Sequence, residues 1–280
     1  MLFNHVKNFM DSCRNHFIIK ILFLTKSDRL LIKLYVYYYQ TFHKYMNTLY
    51  IVPTPIGNLG DITIRSLNLL KENEYIICED TRIAKKLLNL LDVDTGNKKF
   101  ISYYEPKETE LTPKVLAILL ENDAVFTSDS GTPLISDPGY KLLKEIRTNF
   151  KNRIKIEVLP GATSITTALV ASGQPTHKFT FLGFLPTKKV KKERLFESLK
   201  DHSQILNGSY IAFESPYRVE KTLKIMGSIY KDNVTISLCR ELTKKFESIK
   251  TGKPIDLLEK IDKKEIKIKG EFVLVFSFNS

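Results

Sequence analysis

Three times in this chain a short apolar run ends in a cluster of Pro, Gly and small hydroxyl residues, and that repetition constrains the fold more than any other feature. The densest case is Ser128-Asp129-Ser130-Gly131-Thr132-Pro133-Leu134-Ile135-Ser136-Asp137-Pro138-Gly139, directly after Ala124-Val125-Phe126-Thr127. Leu49-Tyr50-Ile51-Val52 leads into Pro53-Thr54-Pro55-Ile56-Gly57-Asn58-Leu59-Gly60, and the run Ile154 to Leu159 into Pro160-Gly161-Ala162-Thr163-Ser164. Such loops are not core. They leave backbone N–H groups uncovered beside few bulky side chains, which suits a ligand lying against the main chain. Three such strand–loop–helix junctions predict one crevice at the carboxyl edge of a parallel sheet.

From Leu49 the pattern alternates strand and helix, which predicts α/β architecture. Helices are expected after Asp61, over Ala84–Leu91, Thr112–Glu121 and Tyr140–Phe150, and over the small-residue stretch Ala162–Ser172. Gly173-Gln174-Pro175-Thr176 reads as a linker. A second, smaller α/β unit follows, with strands at Phe179–Phe184, Ser209–Phe213, Val234–Cys239 and Phe272–Phe278 and a basic helix over Thr187–Lys200. The expected division is an extension at 1–45, a first domain at 46–173 and a second at 177–280. The extension reads as lying outside the fold, with Met46 as the natural start.

Several chemistries are excluded. GxxxxGK[ST] is absent and no GxGxxG follows a strand, so neither a P-loop nor the usual dinucleotide site is expected. No nucleophile elbow and no two-histidine metal site occurs, and no metal is expected. Cys13, Cys78 and Cys239 form no CxxC, so a disulfide framework or zinc site is not expected, and a reducing cytosol fits. No uncharged run is long enough to span a membrane.

The net charge of +12 favours an anionic partner. Lys188, Lys189, Lys191, Lys192 and Arg194 open the basic helix, and such a run is either a solvated face or a contact for phosphates. Gly161 and its small neighbours open a helix whose free N–H groups either take ordinary caps or hold an anion. Glu79-Asp80-Thr81-Arg82 closes a strand. Its Asp–Arg pair either fixes the loop or serves chemistry, and the residues alone leave both open.

Taken in order, Pro53 to Leu59, Glu79 to Arg82, Ser128 to Gly139, Pro160-Gly161, Gly183-Phe184-Leu185-Pro186, Glu214-Ser215-Pro216-Tyr217-Arg218, Arg240-Glu241-Leu242-Thr243-Lys244 and Lys269-Gly270-Glu271 form one pattern. It closely resembles the branch of the tetrapyrrole methylase superfamily that methylates small-subunit ribosomal RNA, from about Leu49 onward. The resemblance implies two α/β domains of tetrapyrrole methylase type with the cofactor, S-adenosyl-L-methionine, in the interdomain cleft. It also implies a cytoplasmic homodimer acting on 16S rRNA of the small ribosomal subunit, by 2′-O-methylation of a decoding-centre cytidine.

Carried over by position, the donor lies against Pro55, Ile56 and Gly57. Asp129, Ser130, Gly131, Thr132, Pro133 and Ile135 form a second wall. Gly161, Ala162, Thr163 and Ser164 form a third, and Phe213 and Glu214 close it. The expected base is Asp80, with Arg82 orienting it or contacting RNA phosphate and Glu214 and Glu241 as rivals, and Arg218 joins the lysine run in contacting RNA. Two departures stand out: Ala162 replaces a frequent second Pro, and Tyr217 stands where His is frequent. A methylase of a small tetrapyrrole and a non-catalytic RNA-binding protein are the competing functions.

Overall fold

Short apolar strands alternate with amphipathic helices through the first half, in the order β1 (Asn47–Ile51), α1 (Ile64–Glu72), β2 (Tyr75–Cys78), α2 (Thr81–Leu90), β3 (Lys99–Ser102), α3 (Glu108–Leu119), β4 (Ala124–Thr127), α4 (Tyr140–Asn149), β5 (Ile154–Val158) and α5 (Ser164–Ser172). The computed structural model describes residues 46–202 and 208–279, so the expectations for 1–45 lie outside the described residues. The five strands form one parallel sheet ordered β3-β2-β4-β1-β5.

Helices cover both faces of this sheet, which is why its strands carry apolar residues at successive positions. Ile77 and Phe126 face Leu119 of α3 and Leu142 of α4. Their neighbours Ile76 and Val125 point to the other side, against Leu70 of α1 and Leu88 of α2. α2 begins at Thr81, three residues before the expected Ala84, because Asp80 caps it by accepting from the Arg82 N–H at 2.8 Å. α3 begins at Glu108 instead of Thr112 and carries Pro113 inside it.

The second half runs β6 (Phe179–Phe184), α6 (Lys189–His202), β7 (Ser209–Glu214), α7 (Pro216–Tyr230), β8 (Val234–Arg240), β9 (Ser248–Gly252), α8 (Pro254–Asp262) and β10 (Phe272–Phe278). Its sheet is ordered β6-β7-β10-β8-β9; β6 and β7 are parallel and the remaining pairs antiparallel. β9 and α8 were not expected from the sequence, and α6 starts two residues later than Thr187.

One face of this second sheet packs on α6, α7 and α8 through Phe196, Leu223, Leu257 and Phe276. Its other face receives α5 from the first half: Ile165, Ala168 and Leu169 pack against Ile211, Cys239 and Val275. Small residues on α5 permit that approach, and Ser237 Oγ donates to the Ser172 carbonyl at 3.2 Å.

The segment read as a linker is therefore pinned. Gly173 ends α5 at φ +69°, and Gln174 is buried. The Gln174 Oε1 accepts from Ser277 Oγ at 2.6 Å, while its Nε2 donates to Ser237 Oγ at 3.3 Å. From Asn47 onward the chain is one compact unit. Among the described residues no helix is long and apolar enough to cross a membrane.

Candidate functional site

Strand order explains why three loops distant in sequence meet. β4, β1 and β5 are consecutive neighbours in a parallel sheet, so the loops leaving their carboxyl ends lie side by side. Thr54 and Gly131 exchange backbone hydrogen bonds at 2.9 and 3.1 Å, joining the first loop to the second, and Gly131 takes φ +81° to do so. Thr132 Oγ1 donates to the Ala162 carbonyl at 3.0 Å, joining the second to the third. Gly161 sits so close to Pro53 that a Cβ there would come within 2.5 Å of the proline Cβ.

These loops form one wall of a cavity of about 380 Å³; the ends of β7, β8 and β10 form the other. Of the residues predicted to hold the donor, Ile56, Ser130, Gly131, Thr132, Ile135, Thr163, Ser164, Phe213 and Glu214 line it. Pro55, Gly57, Asp129, Pro133, Gly161 and Ala162 are not among the residues that line it. Gly57 instead faces the Leu242–Lys244 segment: a Cβ on it would lie 2.9 Å from the Leu242 carbonyl oxygen. Phe213 is fixed edge-on by Phe181 at 5.0 Å and Phe184 at 5.3 Å between ring centroids.

Several wall residues were not singled out from sequence, among them Asp137, Ile165, Leu242 and Val273. Asp137 lay within the quoted loop motif, but nothing in the sequence separated it from Asp129. Cys239 also lies on the wall; burial pushes its thiol up to about 12, so it presents a neutral sulfur at neutral pH.

The carboxylates divide sharply. Asp80 and Arg82 are outside the cavity and bonded to each other, Arg82 Nη2 reaching Asp80 Oδ2 at 2.6 Å with the guanidinium side chain 88% exposed. The hydrogen bonds from Arg82, side chain first and then backbone, hold the Asp80 carboxyl near 2. A group so acidic and so committed is a poor proton acceptor, which weighs against Asp80 as the base.

The two rivals are equally engaged. Glu241 accepts the Glu271 N–H at 2.9 Å, and that bond leads the causes that hold it below the usual carboxylate range. Burial would raise Glu214, but bonds from Lys192, Thr222 and the Ser215 N–H outweigh it and leave it low. Asp137 is the opposite case. Burial first, then the charges of Glu79 and Asp129, push it up to about 6, and only a Ser128 hydroxyl bond pulls the other way.

The basic helix also divides. Lys188, Lys189, Lys191 and Arg194 are exposed. Lys192 is buried, with Nζ 2.5 Å from Glu214 Oε2 and 2.6 Å from Thr222 Oγ1. It faces the core because Leu195, Phe196 and Leu199 lie three, four and seven residues on, along the same helical stripe. Lys192 is thus an internal counter-ion of Glu214. Arg218, half-buried, reaches the same carboxylate through Nε at 2.6 Å.

A parallel sheet whose loops build a cleft against a second, mixed sheet defines a class. Residues 48–257 match the model of the Tetrapyrrole (Corrin/Porphyrin) Methylases, and two solved structures share the fold. The methyltransferase CobJ aligns at TM-score 0.61 and 16% identity, covering 83% of this chain and 94% of its own. The uroporphyrin-III C-methyltransferase from Thermus thermophilus, complexed with S-adenosylhomocysteine, aligns at 0.52 and 15%, covering 82% and 97%.

More particularly, the chain is 45% identical over 230 residues to the ribosomal RNA small subunit methyltransferase I of Hydrogenobaculum sp. (strain Y04AAS1), covering 82% of this chain and 95% of that one. The chain belongs to that family of the tetrapyrrole methylases. It is a methyltransferase, and its methyl donor is S-adenosylmethionine.

The cavity fits such a donor. Its volume lies in the range of small-ligand pockets, roughly 300–1,000 Å³. Ile56, Phe213 and Val273 offer apolar walls. The α5 N-cap, Thr163, makes no side-chain cap bond, which leaves first-turn N–H groups open to an anionic group. Asp137 supplies a carboxylate to face positive charge.

Proposed function

We propose that this chain transfers a methyl group from S-adenosylmethionine to the ribose 2′-OH of a decoding-centre cytidine in 16S rRNA. The observation that carries the reading is Asp137: a carboxylate on the cavity wall, not bound to a cation among the described residues, beside a cleft of methylase type. The donor supplies an electrophilic methyl group when bound. The apolar walls at Ile56 and Phe213 and the open end of α5 orient it and exclude water. Asp137 accepts the hydroxyl proton as the new oxygen–carbon bond forms and the carbon–sulfur bond breaks toward sulfur. Asp80 and Arg82 hold the start of α2 beside Asp129, whose Oδ1 accepts the Asp80 N–H at 3.3 Å.

Lys188, just before α6, and Lys189, Lys191 and Arg194 within it give this segment a cationic surface suited to rRNA phosphates. A cytoplasmic homodimer is part of the same proposal. Val158 and Val170, each more than half exposed, are apolar surface that a second copy would cover.

The test is transfer of labelled methyl from S-adenosylmethionine to unmethylated small ribosomal subunits, with the product mapped by mass spectrometry. A single 2′-O-methylcytidine in the decoding region is expected. Transfer to an acidic tetrapyrrole and not to RNA would overturn the reading.

A further inference from the structure

We propose that the groove between α6 and α7, on the far side of the cavity wall, is a track for the phosphodiester backbone of single-stranded RNA. The proposal rests on the reading of RNA as substrate and adds a place where its backbone runs. The groove has a volume of about 420 Å³. Lys189 and Lys192 of α6 line it with Arg218, Lys221 and Lys224 of α7, and Glu193 is the one acidic residue among those lining it.

Charge accounting within the wall explains why this groove wants an anion. The single carboxylate of Glu214 is shared by two cations, Lys192 at 2.5 Å and Arg218 at 2.6 Å. One positive charge is therefore left uncompensated where solvent screening is weak. Glu214 lines the donor cavity while Lys192 and Arg218 line the groove, so the two sites share one wall.

The remaining cations are placed for a chain and not for one phosphate. Arg218, Lys221 and Lys224 recur every third residue, rising about 4.5 Å per step along one stripe of α7. Lys221 has no ion pair among the described residues. Lys224 pairs with Glu220, four residues before it, and the side chains of that pair are both about half exposed. Such a surface pair is worth little and yields readily to a phosphate. An acidic protein is the weaker candidate. Among the described residues the groove offers only Ile225 as an apolar contact and no aromatic side chain, whereas protein interfaces are anchored by such groups.

The test measures binding of the full-length protein to a short fluorescein-labelled single-stranded oligoribonucleotide across a salt series. Wild type is compared with Lys221→Ala/Lys224→Ala. A charge-matched control, Lys114→Ala/Lys144→Ala, removes two exposed lysines from α3 and α4. Loss of two phosphate contacts reduces the slope of log affinity against log salt by about 1.4, at about 0.7 per contact. The control keeps the wild-type slope.

An unchanged slope and affinity in a normally melting Lys221→Ala/Lys224→Ala variant overturns the groove, even if methyl transfer to small subunits succeeds. A reduced slope without any methyl transfer by wild type keeps the groove and overturns the enzymatic reading. Absence of oligoribonucleotide binding by wild type overturns the groove and leaves the enzymatic reading to the methyl-transfer assay.

Discussion

Lys192 Nζ lies 2.5 Å from Glu214 Oε2, with side chains 4% and 0% exposed. Thr222 Oγ1 closes the triangle, 2.6 Å from the ammonium and 2.7 Å from the carboxylate. The pair fastens α6 and α7 to the end of β7, at the point where that strand enters the cavity wall. Removing Glu214 strands the buried Lys192 charge, which costs roughly 3–5 kcal/mol, whereas replacing both by apolar groups is often close to neutral. Glu214→Leu is therefore expected to lose about that much stability in urea denaturation, and Lys192→Met/Glu214→Leu to recover most of it.

The same pair sets an acid limb. The folded state holds Glu214 below its ordinary value, so its contribution is present above the unfolded pKa and is lost as pH falls through the folded one. Wild type should lose stability through the acid range below about pH 4.5 more steeply than Glu214→Gln, read as urea midpoints against pH.

Asp137 has the opposite sign. Burial pushes its carboxyl up from the ordinary aspartate range to about 6, so its contribution is full at low pH and is lost as pH rises through 6. Asp137→Asn should gain on wild type between about pH 4 and 6 and hold that gain above, by about 1–2 kcal/mol after solvent screening. The same variant should transfer methyl about a hundredfold more slowly, and wild-type kcat/KM should fall below about pH 6.

Asp80→Ala separates the two carboxylates. It removes the cap of α2 and should lower the melting temperature slightly. Methyl transfer should change by less than about tenfold, because the residue stands outside the cavity; a loss as large as that of Asp137→Asn would restore Asp80 as the base.

Gly57→Ala probes the junction between the two sheets. The added Cβ would lie 2.5 Å from Lys244 Cγ and 2.6 Å from Thr243 Oγ1, and the backbone oxygen of Leu242 leaves no room on the third side. Stability should fall by about 1–3 kcal/mol, as for overpacked cores. Calorimetry should show donor affinity weakened by about tenfold, since Ile56 and Leu242 would be pushed apart on opposite walls.

Much of this architecture is legible in the residues. The loops after Val52, Thr127 and Leu159 announce a ligand because their composition serves no other purpose at strand ends. What composition does not encode is adjacency: that β4, β1 and β5 are neighbours follows from pairing across more than 70 residues. Asp137 is hidden for the same reason, since its pKa depends on burial and on Glu79 arriving from the end of β2.

Lys192 was legible and went unread. It shares a helical stripe with Phe196, whereas Lys191 and Arg194 do not. α8 was legible too, through Pro254 at its first turn, Asp256 bonding the Lys253 N–H, and Leu257 and Ile261 four residues apart. β9 was not. Its run Ser248-Ile249-Lys250-Thr251-Gly252 is too short and too polar to stand out without the β8 register beside it.

β10 lies between β7 and β8, yet of the described strands it leaves the ribosome last. During synthesis β1 to β5 can pair and bury their faces while the other sheet still lacks its middle. Until Phe272 to Phe278 emerge, β7 and β8 each show an unpaired apolar edge to other nascent chains. At roughly 5–20 residues per second, the interval from Arg240 to Phe278 lasts a few seconds. That interval is the vulnerable part of the protein's biogenesis, and a chaperone or a slowed codon there would affect yield more than the same intervention anywhere upstream.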